Sequence, residues 1–152
     1  MNKIKLGGLL MALLVTTTLA PASLNGPQLQ SAKPADIECL ARNVYHEARG
    51  EPLKGQIAVA QVTVNRVESG EFQPSICKTV YATKQFSWTN KPKTVKDIKA
   101  WEASVAIATA VLTKSVQLPD FKALYFHTKQ VKPIWNRNKR VLAVIGNHIF
   151  YA

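Results

Sequence analysis

The chain has 152 residues, of which 47% are hydrophobic and 19% charged, a length and composition that support one globular domain with a real core. Its formal net charge is +11 at pH 7, and subtracting Lys3 and Lys5 of the N-terminal segment leaves +9. A net positive charge of this size suits a polyanionic partner, such as nucleic acid, an anionic membrane or a cell-wall polymer.

The first 22 residues have the pattern of a secretory signal peptide. Lys3 and Lys5 precede an apolar run at residues 6–15, and the small residues 20–22 (APA) resemble a cleavage site. The apolar run is short for a membrane span, so we expect a cleaved signal without stable membrane insertion, with an uncleaved anchor as the alternative. Residues 23–35 are predicted to form a flexible leader, which leaves residues 36–152 as the folded domain.

Residues 36–51 (DIECLARNVYHEARGE) predict a helix that carries one carboxylate on or beside its buried face. Asp36 is the predicted N-cap, and the helix is predicted to end near Arg49. Glu47 follows Val44 by three residues, so its side chain is predicted to point along or beside the apolar stripe. The inward positions recur at the spacing of one helical face and are Ile37, Leu40, Ala41, Val44, Tyr45 and Ala48.

Glu47 is the first candidate for a catalytic residue. A carboxyl group partly removed from water has a raised pKa because its charged form is disfavoured, and a general acid that works near neutral pH needs such a pKa. The alternative is that Glu47 pairs with Arg42, Arg49 or another cation at the edge of the core, as helical glutamates near an apolar face usually do.

Residues 56–67 (QIAVAQVTVNRV) are apolar nearly all round, which predicts a second helix in the middle of the domain. The β-branched content leaves a strand as the alternative. Gln61 and Asn65 are four residues apart and share one face of this helix. They either point together into a cleft or bond buried backbone groups.

Cys39 and Cys77 follow the predicted export signal, and an even cysteine count in an oxidising compartment indicates a disulfide between the first helix and a later loop. Two buried thiols are the alternative. A catalytic cysteine is less attractive than either, because nothing near Cys39 in the sequence would stabilise a thiolate.

Residues 84–90 (KQFSWTN) interleave polar groups with Phe86 and Trp88. Aromatic rings flanked by hydrogen-bonding side chains are typical of a sugar-binding groove, although both rings fit a core position equally well. Further along, Asp97 is predicted to cap a third helix that extends to Lys114. The inward residues of this helix are predicted to be Ile98, Trp101, Val105, Ala108 and Leu112.

Residues 123–128 (ALYFHT) and 141–151 (VLAVIGNHIFY) predict strands of a small antiparallel sheet. These strands carry His127 and His148. Together with the distant His46 they lack the short ligand spacing of a metal site, so no metal and no cofactor are predicted. We interpret these histidines as polar residues that line a cleft.

Several strings resemble the SleB-type cell wall hydrolase family, named for the spore cortex-lytic enzymes. They occur in order at residues 43–52 (NVYHEARGEP), 55–60 (GQIAVA), 65–67 (NRV), 85–88 (QFSW), 123–127 (ALYFH) and 145–151 (IGNHIFY). The resemblance covers essentially residues 37–151. The pair Cys39 and Cys77 is similar to that of Gram-negative and phage members of the family.

The resemblance implies a lysozyme-like α+β domain, with a helical core and a small antiparallel sheet in its C-terminal third. Such a domain cleaves the glycan strand of peptidoglycan between N-acetylmuramic acid and N-acetylglucosamine. The family's catalytic acid is the first glutamate of the EARGE motif, which is Glu47 here, whereas we interpret Glu51 as structural. The implied reaction is lytic transglycosylation, in which the muramic acid's own C6 hydroxyl closes a 1,6-anhydro ring.

The residues predicted to hold the glycan or to steady the transition state are polar or aromatic positions in these strings. They are Tyr45, Gln61, Asn65, Gln85, Phe86, Ser87, Trp88, Tyr125, His127 and His148.

Other functions compete with lytic transglycosylation. Ordinary glycosidases use two carboxylates, and the absence of a second acid from any aromatic or groove-like string favours the transglycosylase over a hydrolytic muramidase. A catalytically silent peptidoglycan-binding module is the runner-up. We expect an exported monomer in the periplasm or cell envelope with peptidoglycan as its partner, and a nucleic-acid binder only if the signal peptide is wrongly predicted.

Overall fold

The structure, a computed structural model, describes residues 32–90 and 94–152. Within these ranges the helices are α1 (Pro34–Ala48), α2 (Leu53–Ser69), α3 (Ile76–Val80) and α4 (Ile98–Leu112). The strands are β1 (Tyr125–Thr128), β2 (Val141–Ile145) and β3 (His148–Tyr151), and short 3-10 helices lie at Ser87–Asn90 and Ile134–Asn138. The predicted helical core with a small C-terminal sheet is confirmed.

The predicted signal peptide at residues 1–22 and nearly all of the predicted leader lie outside the described residues. Their prediction therefore stays a prediction. Among the residues that the structure describes, no helix has both the length and the apolar character needed to cross a bilayer.

Helix α1 buries the predicted stripe against α2, α3 and α4. It ends at Ala48, as predicted, but its start differs from the prediction. The helix begins at Pro34 with Lys33 at the N-cap position, so the prediction of Asp36 as N-cap is wrong. Proline has no N–H to lose and a fixed φ that suits the first helical position, which explains why the helix begins there.

Helix α2 lies at the centre of the domain, and the strand alternative for this segment is excluded. Ala58, Val59, Ala60 and Val62 are fully buried. The helix ends at Gly70, whose φ of +73° is the left-handed conformation that favours glycine after a helix.

Helix α4 begins where it was predicted to begin, since the Asp97 carboxylate accepts a hydrogen bond from the backbone N–H of Ala100 at 3.0 Å. Of the predicted inward residues, Ala108 is buried, and the partly buried Trp101, Val105 and Leu112 pack against the core. The other fully buried positions were not predicted and are Ser104, Ile107 and Val111. Ile98, which was predicted to point inward, is 62% exposed. Ser104 tolerates burial because its hydroxyl donates to the carbonyl oxygen of Ala100 at 2.8 Å.

The three strands form an antiparallel sheet in the order β1-β3-β2, as the last third of the sequence predicted. Residues 146–147 make the turn between β2 and β3, with Gly146 at a φ of +56°. One apolar cluster joins α1 to α4, and a second, which includes Val59 and Phe150, joins α2 to the sheet. Phe126 of β1 packs against both clusters, so the sheet is fixed against the helices.

The predicted disulfide between Cys39 and Cys77 is confirmed. It joins α1 to α3 with a Cα–Cα distance of 5.2 Å and a sequence separation of 38 residues. The alternative of two buried thiols is therefore excluded. The bond therefore links α1 to the short helix that directly precedes the aromatic segment at residues 84–90.

Candidate active site

Glu47 lies half-buried in the last turn of α1 and faces a cleft of about 340 Å³. Helices α1 and α2, the loop after α3, and strands β1 and β3 all contribute to its wall. The described lining residues are Glu47, Arg66, Gln85, Phe86, Ser87, Phe126, His127, Thr128, Val131 and His148. The cleft therefore brings together segments that are separated by up to a hundred residues in the sequence.

Five of the ten predicted substrate-binding residues line this cleft together with Glu47. They are Gln85, Phe86, Ser87, His127 and His148. Tyr125 begins β1 but is not part of this lining, and its ring contacts the rings of Phe72 and Trp135. The ammonium group of Lys139 lies 3.5 Å from the centroid of the Tyr125 ring.

Tyr45 and Trp88, which were also predicted to bind the glycan, are buried and pack against neighbouring residues. Tyr45 is 3% exposed, and its hydroxyl accepts hydrogen bonds from the backbone N–H groups of Lys96 and Asp97 at 3.1 and 3.0 Å. Trp88 is 5% exposed, and its ring centroid lies 4.5 Å from that of His46. Both aromatic side chains therefore support the helices beneath the cleft.

Gln61 and Asn65 bond backbone groups, which is the second of the two alternatives that the sequence left open. Gln61 accepts a hydrogen bond from the N–H of Leu118 at 2.8 Å and donates to the carbonyl oxygen of the same residue. Asn65 donates to the carbonyl oxygens of Phe121 and Ala123 at 2.8 and 3.0 Å. These bonds fix the segment that leads into β1 on the surface of α2.

Arg66 is a cleft residue that the sequence interpretation missed. It is 4% exposed, and its Nε donates to the carbonyl oxygen of Leu124 at 2.7 Å. Burial lowers the pKa of Arg66 to about 10, while the charges of Tyr125 and Glu47 act to raise it. The guanidinium therefore stays positive at neutral pH beside Glu47. The feature of the sequence that could have identified Arg66 is a positive charge within a helix that is otherwise apolar on nearly all sides.

The cations named in the alternative interpretation of Glu47 have other contacts. Arg42 donates to the carboxylate of Glu38 at 2.9 Å. Arg49 donates to the carbonyl oxygen of Tyr45, and its guanidinium lies 4.9 Å from the centroid of that ring. Arg66, which lines the cleft, is a further cation whose charge interacts with that of Glu47.

The ring of His127 is held rigidly in the cleft wall. Its Nδ1 lies 2.8 Å from the carbonyl oxygen of Thr128, and a carbonyl can only accept, so Nδ1 carries a proton. Its Nε2 then accepts hydrogen bonds from the Tyr151 hydroxyl at 2.8 Å and from the Asn136 amide at 3.1 Å. Since both nitrogens have hydrogen-bond partners, the orientation of the His127 ring in the cleft wall is fixed.

Glu51 fixes the turn between β2 and β3. Its carboxylate accepts hydrogen bonds from the backbone N–H of Asn147 at 2.8 Å and from the amide of the same residue at 3.0 Å. A Cβ atom at Gly146 would collide with this carboxylate, so the turn needs glycine there. Burial acts to raise the pKa of Glu51, but the two bonds from Asn147 and the charges of His148 and Lys129 hold it below its usual value.

His148 is the second histidine of the cleft, and it is buried. Its Nδ1 lies 3.8 Å from the Glu51 carboxylate, and neither ring nitrogen has a hydrogen-bond partner among the described residues. Burial lowers the pKa of His148, the neighbouring His127 lowers it further, and Glu51 opposes both effects. A buried imidazole that is uncharged at neutral pH is suited to hydrogen bonding with a polar, uncharged ligand.

Glu51→Gln is expected to lower the free energy of unfolding by about 1 to 2 kcal/mol at pH 7, because the charge-assisted bonds to Asn147 are lost. The pKa of Glu51 is depressed in the folded state, so its stabilisation is present above the usual carboxyl pKa and is lost as the pH falls through the folded value. Urea denaturation at pH 7 and about pH 4 measures this, with the exposed Glu102→Gln as control. A deficit that is the same at both pH values would contradict the account.

The arrangement suits acid–base chemistry on a polar ligand of low charge. Among the described residues that line the cleft, Glu47 is the single carboxylate, and it shares the cleft with the buried cation Arg66 and with the imidazoles of His127 and His148. Across residues 32–90 and 94–152, no group of three or more His, Cys, Asp or Glu side chains is placed to hold a metal ion.

A helical core that presents one glutamate at the end of a helix, opposite a small antiparallel sheet, defines a lysozyme-like α+β domain. The Cell Wall Hydrolase family matches residues 50–151, which begin three positions after Glu47. The chain therefore belongs to the cell wall hydrolases of the SleB type, as the resemblance in its sequence implied.

Individual relatives agree with this assignment. The spore cortex-lytic enzyme of Oceanobacillus iheyensis is 33% identical over 136 residues, a match that covers 84% of this chain and 45% of that protein. The catalytic domain of the Bacillus cereus SleB protein superposes with a TM-score of 0.64 at 26% identity and covers 84% of this chain and 99% of that domain. The catalytic domain of the germination-specific lytic transglycosylase SleB from Bacillus anthracis gives 0.65 at 27% identity, with coverages of 81% and 98%. The chain spans less than half the length of the spore cortex-lytic enzyme that it matches.

Proposed function

We propose that this protein cleaves the glycan strand of peptidoglycan between N-acetylmuramic acid and N-acetylglucosamine, by lytic transglycosylation. The observation that carries the proposal is that Glu47 is the single carboxylate among the described residues of the cleft. Inverting and ordinary retaining glycosidases need two carboxylates at set separations, whereas a reaction in which the substrate supplies its own nucleophile needs one.

In the first step the Glu47 carboxyl group gives its proton to the glycosidic oxygen, and the bond from that oxygen to C1 of muramic acid breaks. The N-acetylglucosamine part leaves as an alcohol, and C1 becomes an oxocarbenium-like centre. In the second step the C6 hydroxyl oxygen of the same muramic acid bonds to C1, and its proton returns to the Glu47 carboxylate. The 1,6-anhydro ring forms, the acid is restored and no water is consumed.

Arg66 and His148 support these steps in different ways. The buried guanidinium of Arg66 favours the carboxylate form of Glu47, which is the form that must accept the proton from the C6 hydroxyl. Neutral His148, whose ring nitrogens have no hydrogen-bond partner among the described residues, is placed to bond an N-acetyl or hydroxyl group. Gln85 and Ser87 contribute further polar groups to the same wall.

Two further observations support the assignment to peptidoglycan. The relatives are named as spore cortex-lytic enzymes, and one structural relative is named as a lytic transglycosylase. The high positive charge of the chain suits an anionic wall polymer, and the signal-peptide pattern of the first 22 residues favours the periplasm or cell envelope.

Incubation of the protein with purified sacculi tests the proposal. We expect soluble glycan fragments to appear in the supernatant in proportion to time and to enzyme concentration, and no release by heat-denatured protein. A catalytically silent wall-binding module would sediment with the sacculi and release nothing. That result would overturn the enzymatic proposal and favour the binding module.

A further inference from the structure

The C-terminal segment of the domain carries positive charge and has no acidic residue of its own. Residues 121–152 contain six lysines and arginines and no aspartate or glutamate. These cations are Lys122, Lys129, Lys132, Arg137, Lys139 and Arg140. A surface that serves only for solubility usually mixes both signs of charge, so this segment favours an anionic ligand.

Three of these cations line a second cavity of about 420 Å³, which we call the basic subsite. They are Lys129, Lys132 and Arg137, and no acidic residue is among the described residues of its wall. The basic subsite shares His127 and Val131 with the cleft that holds Glu47. A ligand bound in the cleft therefore has the basic subsite directly beside it.

Most of the wall of the basic subsite is formed by the loop between β1 and β2, and this loop contacts the sheet. The amide of Asn136, in the 3-10 helix Ile134–Asn138, donates to Nε2 of His127 at 3.1 Å. The ring of Trp135 contacts the rings of His127 and Tyr151, with centroids 5.5 and 5.6 Å apart. Because these contacts tie the loop to a residue of the cleft wall, the backbone that carries Lys132 and Arg137 is held beside the cleft.

We infer that the basic subsite binds the carboxylates of the peptide stem that is attached to the glycan strand in the cleft. The inference rests on the proposed function. The glycan backbone of N-acetylated sugars offers few negative charges, whereas the peptide that extends from each muramic acid carries several carboxylates. Arginine and lysine bind carboxylates by charge-assisted hydrogen bonds, so the basic subsite selects for strands that still carry peptide.

Binding in the Glu47→Gln background tests this inference without interference from cleavage. Two soluble ligands are compared by calorimetry: glycan fragments with their peptide stems, and the same fragments after an amidase has removed the peptide. The subsite variant is Lys132→Gln with Arg137→Gln. The control is Lys54→Gln with Lys99→Gln, which removes the same charge from exposed lysines of α2 and α4 that line neither cavity.

We expect the Glu47→Gln protein to prefer peptide-bearing fragments, and the subsite variant to reduce the ratio of the two affinities by about 5- to 10-fold. The control is expected to keep the ratio within about twofold. Equal affinities in the Glu47→Gln protein, an unchanged ratio in the subsite variant, or an equal fall in the control would each overturn the inference. If the preference is present but the protein with Glu47 intact releases nothing from sacculi, the cleavage proposal fails and the subsite stands. If neither ligand binds, both fail.

Discussion

Replacement of Glu47 by glutamine is expected to reduce the rate of fragment release from sacculi by about a thousand-fold or more, because one group would lose both its acid and its base role. The amide has nearly the same shape as the carboxyl group, so the packing of the last turn of α1 is expected to remain. The measurement is the initial rate of soluble glycan release. Binding of the variant to sacculi is expected to persist.

A matched control for this variant is Glu68→Gln. Glu68 lies on the exposed end of α2, where its carboxylate pairs with Lys114 at 3.3 Å. The substitution removes the same charge as Glu47→Gln, but at a position outside the cleft. We expect the control to keep its activity within about twofold, since exposed ion pairs contribute little. Release by Glu47→Gln at the rate of the unmodified protein would reject Glu47 as the acid.

The second large effect is expected from the disulfide. Changing Cys39 and Cys77 to serine is expected to lower the free energy of unfolding by roughly 3 to 4 kcal/mol, because the bond closes a long loop and restricts the unfolded chain. Urea denaturation of the oxidised protein and of the double variant measures the difference. Below its unfolding transition the variant is expected to keep its activity, since neither cysteine lines the cleft.

Reduction supplies the control for the disulfide prediction. A thiol reductant is expected to bring the unmodified protein close to the stability of the double variant and to leave the double variant unchanged. Equal stability of the oxidised protein and the variant would contradict the stabilising role of the bond.

The elements with a single clear pattern were predictable from the sequence. Helix α1 has one apolar stripe between polar faces, and every predicted inward residue except the half-buried Ile37 is buried. The strands β2 and β3 were predictable because residues 146–147 mark the turn between two short apolar runs. Cys39 and Cys77 were predictable as a pair because the described part of the chain offers no other cysteine.

The rotation of α4 was predictable only in part, because apolar residues occur on nearly all of its sides. Periodicity cannot choose between faces of such a helix, and the choice depends on the neighbouring helices, which bury Ser104 and leave Ile98 exposed. The start of α1 was missed for a different reason. Asp36 has the chemistry of an N-cap, but Pro34 determines the first helical position.

The candidate site was predictable in part. The strings around Glu47, Phe86 and His148 identified segments that do meet at one cleft. The sequence did not show which polar residues would be occupied elsewhere, since Gln61 and Asn65 find their partners more than fifty residues away. Arg66 was missed because its position beside Glu47 depends on how α1 and α2 pack, which the sequence does not show.

Analysis of the glycan ends released from sacculi tests the central claim most directly. Mass spectrometry distinguishes a 1,6-anhydromuramic end from a reducing muramic end, because the two differ by one molecule of water. The account predicts that the released strands end in 1,6-anhydromuramic acid, and that Glu47→Gln yields none. Reducing muramic ends would show that water is the nucleophile and that a second group activates it, which would contradict the single-carboxyl mechanism.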